Sequence, residues 1–287
     1  MTKRAVAVLG RGFVDSADAV VTSDDLGFTR GDGCFEATRV VTNDDGQHRI
    51  DHLEEHLDRL QASCAALALP ELDIRAWSAL VEQVITGWDV PGEAILKLML
   101  TRGRESTTLG PITGIATLTP IAEHVLAQRR NGISIVTLNR GTSSDAFTGT
   151  PWLLGGVKTL SYAVNVAAVR VAVERGADDV IFTSSDGYVL EGPTAAVVWL
   201  ANRRLHTTPA GGTGILASIT QRAWFAAAEQ AGFATGYTLG TTSELHAADA
   251  VWLASSGRGA APVHTINGVR LNNAAGLSDQ IAALAGF

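Results

Sequence analysis

Gly155-Gly156-Val157-Lys158-Thr159-Leu160-Ser161-Tyr162 is the stretch on which the reading of this chain turns, together with Tyr188-Val189-Leu190-Glu191-Gly192-Pro193-Thr194 beyond it. A lysine behind two glycines and an apolar residue, at the mouth of a mostly apolar helix, is poorly placed for a solvated charge. It is well placed for covalent chemistry, because partial burial lowers an amine's pKa and an amine so tuned attacks a carbonyl to form an imine. The pattern predicts a helix led by Lys158 and running to about Arg175. Its polar residues Ser161, Asn165, Arg170 and Glu174 form only a narrow stripe, which predicts a largely buried helix.

Working outward, the chain has 287 residues, 46% of them hydrophobic and 18% charged, which describes an ordinary globular protein with one large core or two modest ones. A net charge of −7 without a basic stripe argues against nucleic acid as a partner. No apolar run reaches membrane-spanning length, and the run at Ala5-Val6-Ala7-Val8-Leu9 meets Arg11 too early for a signal peptide. Cys34 and Cys64 sit among apolar neighbours and read as reduced, buried thiols, so the expected location is cytoplasmic. No metal site is expected.

Residues 5–9 and 17–22 read as strands, and Phe28 to Gly33 as a glycine-punctuated turn into the strand 34–41. In that strand Glu36, Thr38 and Val40 share one face, with Phe35, Ala37 and Arg39 on the other. Asp51-His52-Leu53-Glu54 reads as a capping-box variant opening a helix. Leu53, Leu57, Leu60, Cys64 and Leu67 form its buried stripe, and His52, His56, Arg59 and Ser63 the adjacent one. A second helix is expected at about 73–86, with Ile74, Trp77, Val81 and Val84 on one face. The strand 94–103 is apolar except at Lys97, which either snorkels from an edge strand, pairs with an acid, or binds anions. The polar stretch 121–132 reads as a linker between an N-terminal domain, 1–120, and a C-terminal domain, 133–287. Residues 139–156 form a long loop of the kind that is functional or mobile. The glycine-rich run Thr208 to Thr220 feeds a helix, Gln221 to Gln230, and such a run offers backbone N–H groups to an anion.

Five pieces stand in order: Gly31-Asp32-Gly33-Cys34-Phe35-Glu36, His56-Leu57-Asp58-Arg59-Leu60, Gly156-Val157-Lys158-Thr159, Asp186-Gly187 through Glu191, and Gly214-Ile215-Leu216 through Ile219-Thr220. Together they resemble the class IV (fold type IV) pyridoxal-phosphate enzymes, which include branched-chain and D-amino-acid aminotransferases and 4-amino-4-deoxychorismate lyases. The resemblance implies a two-domain α+β fold with pyridoxal 5'-phosphate at the domain interface, and a homodimer acting on a small-molecule amine substrate. It makes Lys158 the Schiff-base lysine, carried on the C-terminal domain, and Glu191 the partner of the ring nitrogen, although by pattern alone Glu191 is an ordinary exposed residue at a strand end. Arg59, by pattern a solvated helix arginine, becomes a phosphate ligand together with Ile219, Thr220 and Ser256.

The string Leu96-Lys97 to Thr101-Arg102-Gly103 resembles the lyase branch and implies substrate contacts by Lys97 and Arg102. The lyases' further arginine is not matched in register, since Thr107 falls there and Arg104 is only close. A threonine implied in lyase catalysis is commoner as Phe-Glu-Thr. This chain has Phe35-Glu36-Ala37, with Thr38 one place later. Pro193, Ala196 and Ser218 also depart from the pattern. Arg258 reads equally as a substrate group or a loop arginine. The expected activity is a 4-amino-4-deoxychorismate lyase making 4-aminobenzoate and pyruvate, with a D-amino-acid or branched-chain aminotransferase as the alternative and a non-catalytic binder of the cofactor as a third.

Overall fold

Gly33–Thr42 is the strand from which the first half of the chain is built. The computed structural model describes residues 3–106, 111–272 and 276–287. They fall into two compact units, Met1–Ala122 with Val157–Tyr162, and Glu123–Gly156 with Ala163–Phe287.

The first unit runs β1 (Ala5–Val8), β2 (Gly12–Val14), α1 (Leu26–Arg30), β3 (Gly33–Thr42), β4 (His48–Ile50), α2 (Leu53–Ala66), α3 (Ile74–Thr86), β5 (Gly92–Thr101) and β6 (Thr113–Pro120). Its strands form one antiparallel sheet in the order β2-β1-β6-β5-β3-β4. Period-two alternation in β5 turns Ala94, Leu96, Leu98 and Leu100 into a core with Leu57, Leu60 and Cys64 of α2 and Trp77, Val81 and Val84 of α3. Ile74, expected on the buried face of α3, is 44% exposed.

β3 has two neighbours along one edge. β4 pairs with its C-terminal half, and the segment around Lys158 pairs with its N-terminal half. The Phe35 N–H donates to the Lys158 carbonyl at 3.0 Å and the Leu160 N–H to the Gly33 carbonyl at 2.9 Å. The lysine, expected on a C-terminal domain, therefore folds with the first unit. It lies in irregular backbone ahead of the helix it was expected to lead.

The second unit runs α4 (Glu123–Asn131), β7 (Ile133–Asn139), a 3-10 turn (Pro151–Leu153), α5 (Ala163–Glu174), β8 (Asp179–Thr183), β9 (Ala196–Ala201), β10 (Arg204–Thr207), α6 (Ile219–Gln230), β11 (Ala234–Tyr237), α7 (Thr242–Ala247), β12 (Ala250–Ser255), β13 (Gly259–Ile266), β14 (Val269–Arg270) and α8 (Leu277–Ala283). Among the described residues its sheet orders as β11-β10-β9-β12-β13-β7-β8, with β14 on β13. Alternation along β9 and β12 splits the core. Val197, Trp199, Val251 and Leu253 pack on one side, and Val198, Leu200 and Trp252 pack with Trp224 and Phe225 of α6 on the other. The polar stretch 121–132, expected as a linker, is mostly α4. Arg129 anchors that helix through bonds to the carbonyls of Arg258 and Gly257.

Local chemistry explains the other departures. Residues 17–22 are irregular instead of a strand, and the segment starts with a turn in which the Asp15 carboxylate accepts from Ala17 N–H and the Asp15 carbonyl from Asp18 N–H. The turn at 28–33 includes α1, capped by Asp25 and ended by Gly31 at φ 70°. Asp51 does not cap α2, since Arg39 and Arg49 hold its carboxylate. His52, at φ 52°, occupies the cap position instead. Lys97 stands on β5, a central strand, so an edge-strand account of it fails. α5 exposes Val164, Val166 and Val173 and is not the largely buried helix that its composition predicted. Among the described residues no helix is long and apolar enough to cross a membrane.

Gly33 is where β5 and the Lys158 segment close on β3 from both sides. A Cβ there would stand 2.3 Å from the Leu100 carbonyl oxygen and 2.7 Å from a Leu160 methyl. Gly33→Ala is expected to lower unfolding free energy by about 1–3 kcal/mol, the usual range for overpacking. Denaturant unfolding checks this, and a variant as stable as the parent would contradict it.

Candidate active site

The candidate residues form two groups, one in each unit. In the first, alternation sends Glu36 and Thr38 to the α2 side of β3, where His56, Arg59 and Ser63 form the facing stripe. Glu36 is 1% exposed. A carboxylate so buried stays ionised only with cations or donors against it. Arg59 supplies a bidentate pair, Nε to Oε1 at 2.6 Å and Nη2 to Oε2 at 2.8 Å, and His56 Nδ1 lies 2.7 Å from Oε2. Burial pushes the Glu36 pKa up, but the hydrogen bonds from Arg59 and His56 outweigh it and hold the group at about 2. Burial pushes His56 down from its ordinary value, with Arg59 and Lys158 adding to the effect against Glu36. The ring is therefore neutral near pH 7 and donates through Nδ1.

Phe35 points to the opposite face of β3 from Glu36. β3 and β5 pair Ala37 with Lys97, so Phe35, Ala37 and Lys97 share that face. The Phe35 ring gathers two amines, Lys158 Nζ at 4.4 Å and Lys97 Nζ at 5.7 Å from its centroid. Tyr162 meets Phe35 edge-on at 5.3 Å and lies 5.9 Å from Lys158 Nζ. Ser63 Oγ lies 3.5 Å from the Lys158 backbone nitrogen, so the α2 stripe also touches this segment.

Two expected substrate residues stand elsewhere. Thr38 is buried on the Glu36 face and its hydroxyl donates to the Asp51 carbonyl. A one-place shift in a strand exchanges faces, and Ala37 holds the position beside Lys97. Arg102 pairs with Asp32 through Nε (2.7 Å) and Nη2 (3.2 Å) and donates to the Leu67 and Ala68 carbonyls at the end of α2, which makes it a structural clamp. Arg104 bonds Asp24. Thr107 lies outside the described residues.

In the second unit, the Phe182 N–H bonds the Glu191 carbonyl at 2.9 Å, which places Glu191 at the end of a short ladder on β8. Its carboxylate accepts the Leu216 N–H at 3.0 Å and lies 3.4 Å from Arg140 Nη1. The Arg140 guanidinium is 5.8 Å from the ring centroids of both Phe147 and Phe182. Phe147 also accounts for two glycines, since a Cβ at Gly155 or Gly214 would enter its ring at 2.4 or 2.3 Å. Loop 139–156 is thus packed on loop 211–216, and the Phe147 N–H bonds the Gly212 carbonyl at 3.0 Å.

α6 begins at Ile219, two residues before the expected start, with Ser218 as the N-cap accepting from Gln221 N–H at 3.2 Å. Capping gives Ser218 a physical reason to depart from glycine. The first N–H groups of a helix have no intrahelical partner, and those of Ile219 and Thr220 stand at this helix start, a geometry able to receive an anion. Thr220 Oγ1 and Ser256 Oγ stand 3.2 Å apart there, which joins two residues 36 positions distant in sequence. Arg258 is the loop arginine of the two readings, standing in the turn between β12 and β13 and pairing there with buried Asp179 at 2.5 Å. Sequence reasoning missed Arg140 and Phe147, because an arginine and a phenylalanine in a polar loop carry no periodicity. It also left Glu36 as the polar face of a strand. The bidentate grip that suggested Arg59 for a phosphate is the grip it exerts on Glu36.

A family model for amino-transferase class IV matches residues 33–266. A bifunctional aminodeoxychorismate lyase / D-amino acid transaminase of Mycobacterium tuberculosis is 39% identical over 257 residues, 87% of this chain and 86% of that protein. The PLP-bound form of a hypothetical aminotransferase from the same organism superposes with TM-score 0.91 at 36% identity, covering 98% of this chain and 97% of that one. The fold IV transaminase CpuTA1 of Curtobacterium pusillum gives TM-score 0.89 at 39% identity, over 99% and 97%.

The Glu36 pairing also sets a pH dependence. A depressed carboxyl contributes stability that is complete above its unfolded value of 4.5 and lost as pH falls toward 2. The stability deficit of Glu36→Gln should therefore shrink by about 3 kcal/mol across that window. Unfolding titrations at stepped pH measure it, and a deficit that stays constant would contradict the pairing.

Proposed function

The chain belongs to the class IV aminotransferase family, and on that premise we propose that it is a 4-amino-4-deoxychorismate lyase, forming 4-aminobenzoate and pyruvate for folate synthesis. It is an enzyme, and its cofactor is pyridoxal 5'-phosphate. The donors present fit that group: an amine for its aldehyde, a carboxylate for its protonated ring nitrogen, and a helix N-terminus with two hydroxyls for its phosphate. When bound, the cofactor supplies an electron sink that acidifies the carbon bearing the substrate's amine.

In this reading Lys158 carries the cofactor and then, once released by the substrate, takes the proton from that carbon with Nζ. Glu191, fixed by the Leu216 N–H and Arg140, holds the proton on the ring nitrogen. Ile219, Thr220 and Ser256 hold the phosphate, with Arg59. The observation that carries the lyase over other family chemistries is the second amine at Phe35. Lys97 brings a second cation to the Phe35 ring that Lys158 also approaches, where a substrate bearing two carboxylates gains most. The enolpyruvyl group leaves from the adjacent carbon, and aromatisation drives the step.

Transamination of D-amino acids is the second reading. The 39%-identical relative bears both activities in its name, and Ala37 offers no hydroxyl on the Lys97 face. It asks Lys158 to return the proton instead of a leaving group to depart. A homodimer belongs to the proposal as well, supported by apolar side chains left open on the single chain, Trp152 at 72%, Val164 at 67% and Val173 at 65%. A cytoplasmic setting is supported by the buried Cys34 and Cys64 thiols, which share a hydrogen bond at 3.5 Å and no disulfide.

The test is 4-aminobenzoate release from enzymatically generated 4-amino-4-deoxychorismate, beside D-alanine with 2-oxoglutarate, using Lys158→Ala as the blank. Turnover of the first substrate by the parent protein, absent in the variant, is expected. Transfer from D-alanine without any 4-aminobenzoate would replace the lyase with the transaminase.

A further inference from the structure

Glu36 is the one deeply buried carboxylate in the first unit's candidate group to which the proposed chemistry assigns no part. Burying an ion pair seldom stabilises a fold more than apolar side chains of the same volume would. Stability alone is therefore a weak reason for a carboxylate at this place, between β3 and α2. Its bonds define a different use. Arg59 is a long side chain with many rotamers to give up when it is ordered. Glu36 pins its Nε/Nη2 edge at 2.6 and 2.8 Å, which fixes the plane and direction of the guanidinium. His56 Nδ1, at 2.7 Å from Oε2, stops the carboxylate from turning. A guanidinium has a second edge, Nη1/Nη2, with the same fork geometry, and that edge suits a phosphate.

We propose that Glu36, locked by His56, is the positioning residue of the cofactor-phosphate site, presenting Arg59 to the phosphate in a fixed orientation. The proposal rests on the reading of Arg59 as a phosphate ligand. Two effects of the carboxylate oppose each other. Orientation strengthens the grip on phosphate, whereas the negative charge weakens it by neutralising the guanidinium. Orientation prevails if the arginine would otherwise have to be ordered at each binding event, and the sign of the mutational effect reads which one wins.

The experiment measures dissociation constants of the full-length apo chain for pyridoxal 5'-phosphate and for pyridoxal, which lacks the phosphate, by quenching of tryptophan fluorescence. Glu36→Gln is expected to weaken pyridoxal phosphate by about tenfold or more, the loss of one charge-assisted contact, and to leave pyridoxal unchanged. In an Arg59→Gln background the same substitution should add nothing, since the effect passes through the arginine. Unchanged or tighter binding of pyridoxal phosphate by Glu36→Gln overturns the proposal. So does an equal loss for both ligands, which marks a merely structural role, and so does a penalty that persists without Arg59. If Arg59→Gln itself keeps the preference for the phosphorylated ligand, Arg59 is no phosphate ligand and the underlying reading falls with the proposal, a pattern distinct from a neutral Glu36→Gln alone. Should Glu36→Gln not melt cooperatively, Glu36→Asp, which keeps the charge but shortens the reach, carries the same comparison.

Discussion

A carboxylate at 1% exposure must be met by donors or give up its charge, and the meeting of Glu36 with Arg59 and His56 organises the first unit. It sets the helix face that α2 turns to β3 and commits one side of the strand to an ionic lock. The opposite side is left for Phe35, Lys97 and Lys158. A strand has only two faces, so the lock and the Lys158 amine come to stand back to back. The Lys158 segment then needs its own attachment, and it takes the N-terminal half of the β3 edge through Phe35 and Gly33.

Periodicity made much of this visible. The α2 stripes, the alternation of β3 and β5 and the helix after the glycine-rich run follow from spacing alone, because local burial writes itself at periods of two and 3.6. What escaped was non-local. Arg102 finds Asp32 across 70 residues and Arg258 finds Asp179 across 79, and no spacing announces either pair. Asp51 looked like a cap until two arginines claimed it. Strand order, which moves Lys97 from an edge to the middle of a sheet, is likewise set by pairing across the chain.

The second unit repeats the lesson in another form. No spacing gives Gly155 and Gly214 a packing role, yet each makes room for the same Phe147 ring. Ser218 read as a departure, and it caps α6. The resemblance identified Glu191, Thr220 and Ser256, but local packing explains how each is held: the Leu216 N–H for the first, and a hydroxyl contact for the other two. Fold and cofactor chemistry are shared across such families, so the choice of substrate lies in few contacts. In the proposed reading those contacts are on the Phe35 face, where Ala37 and Lys97 are neighbours and Thr38 is not.

Two amines approach one phenylalanine ring, and the account depends on which of them carries the cofactor. Borohydride reduction of the holoenzyme followed by peptide mapping decides it, because reduction converts the lysine linkage into a stable secondary amine. The account predicts a pyridoxyl group on Lys158 and an unmodified Lys97. A label on Lys97, or none on either lysine in protein that contains the cofactor, would contradict it.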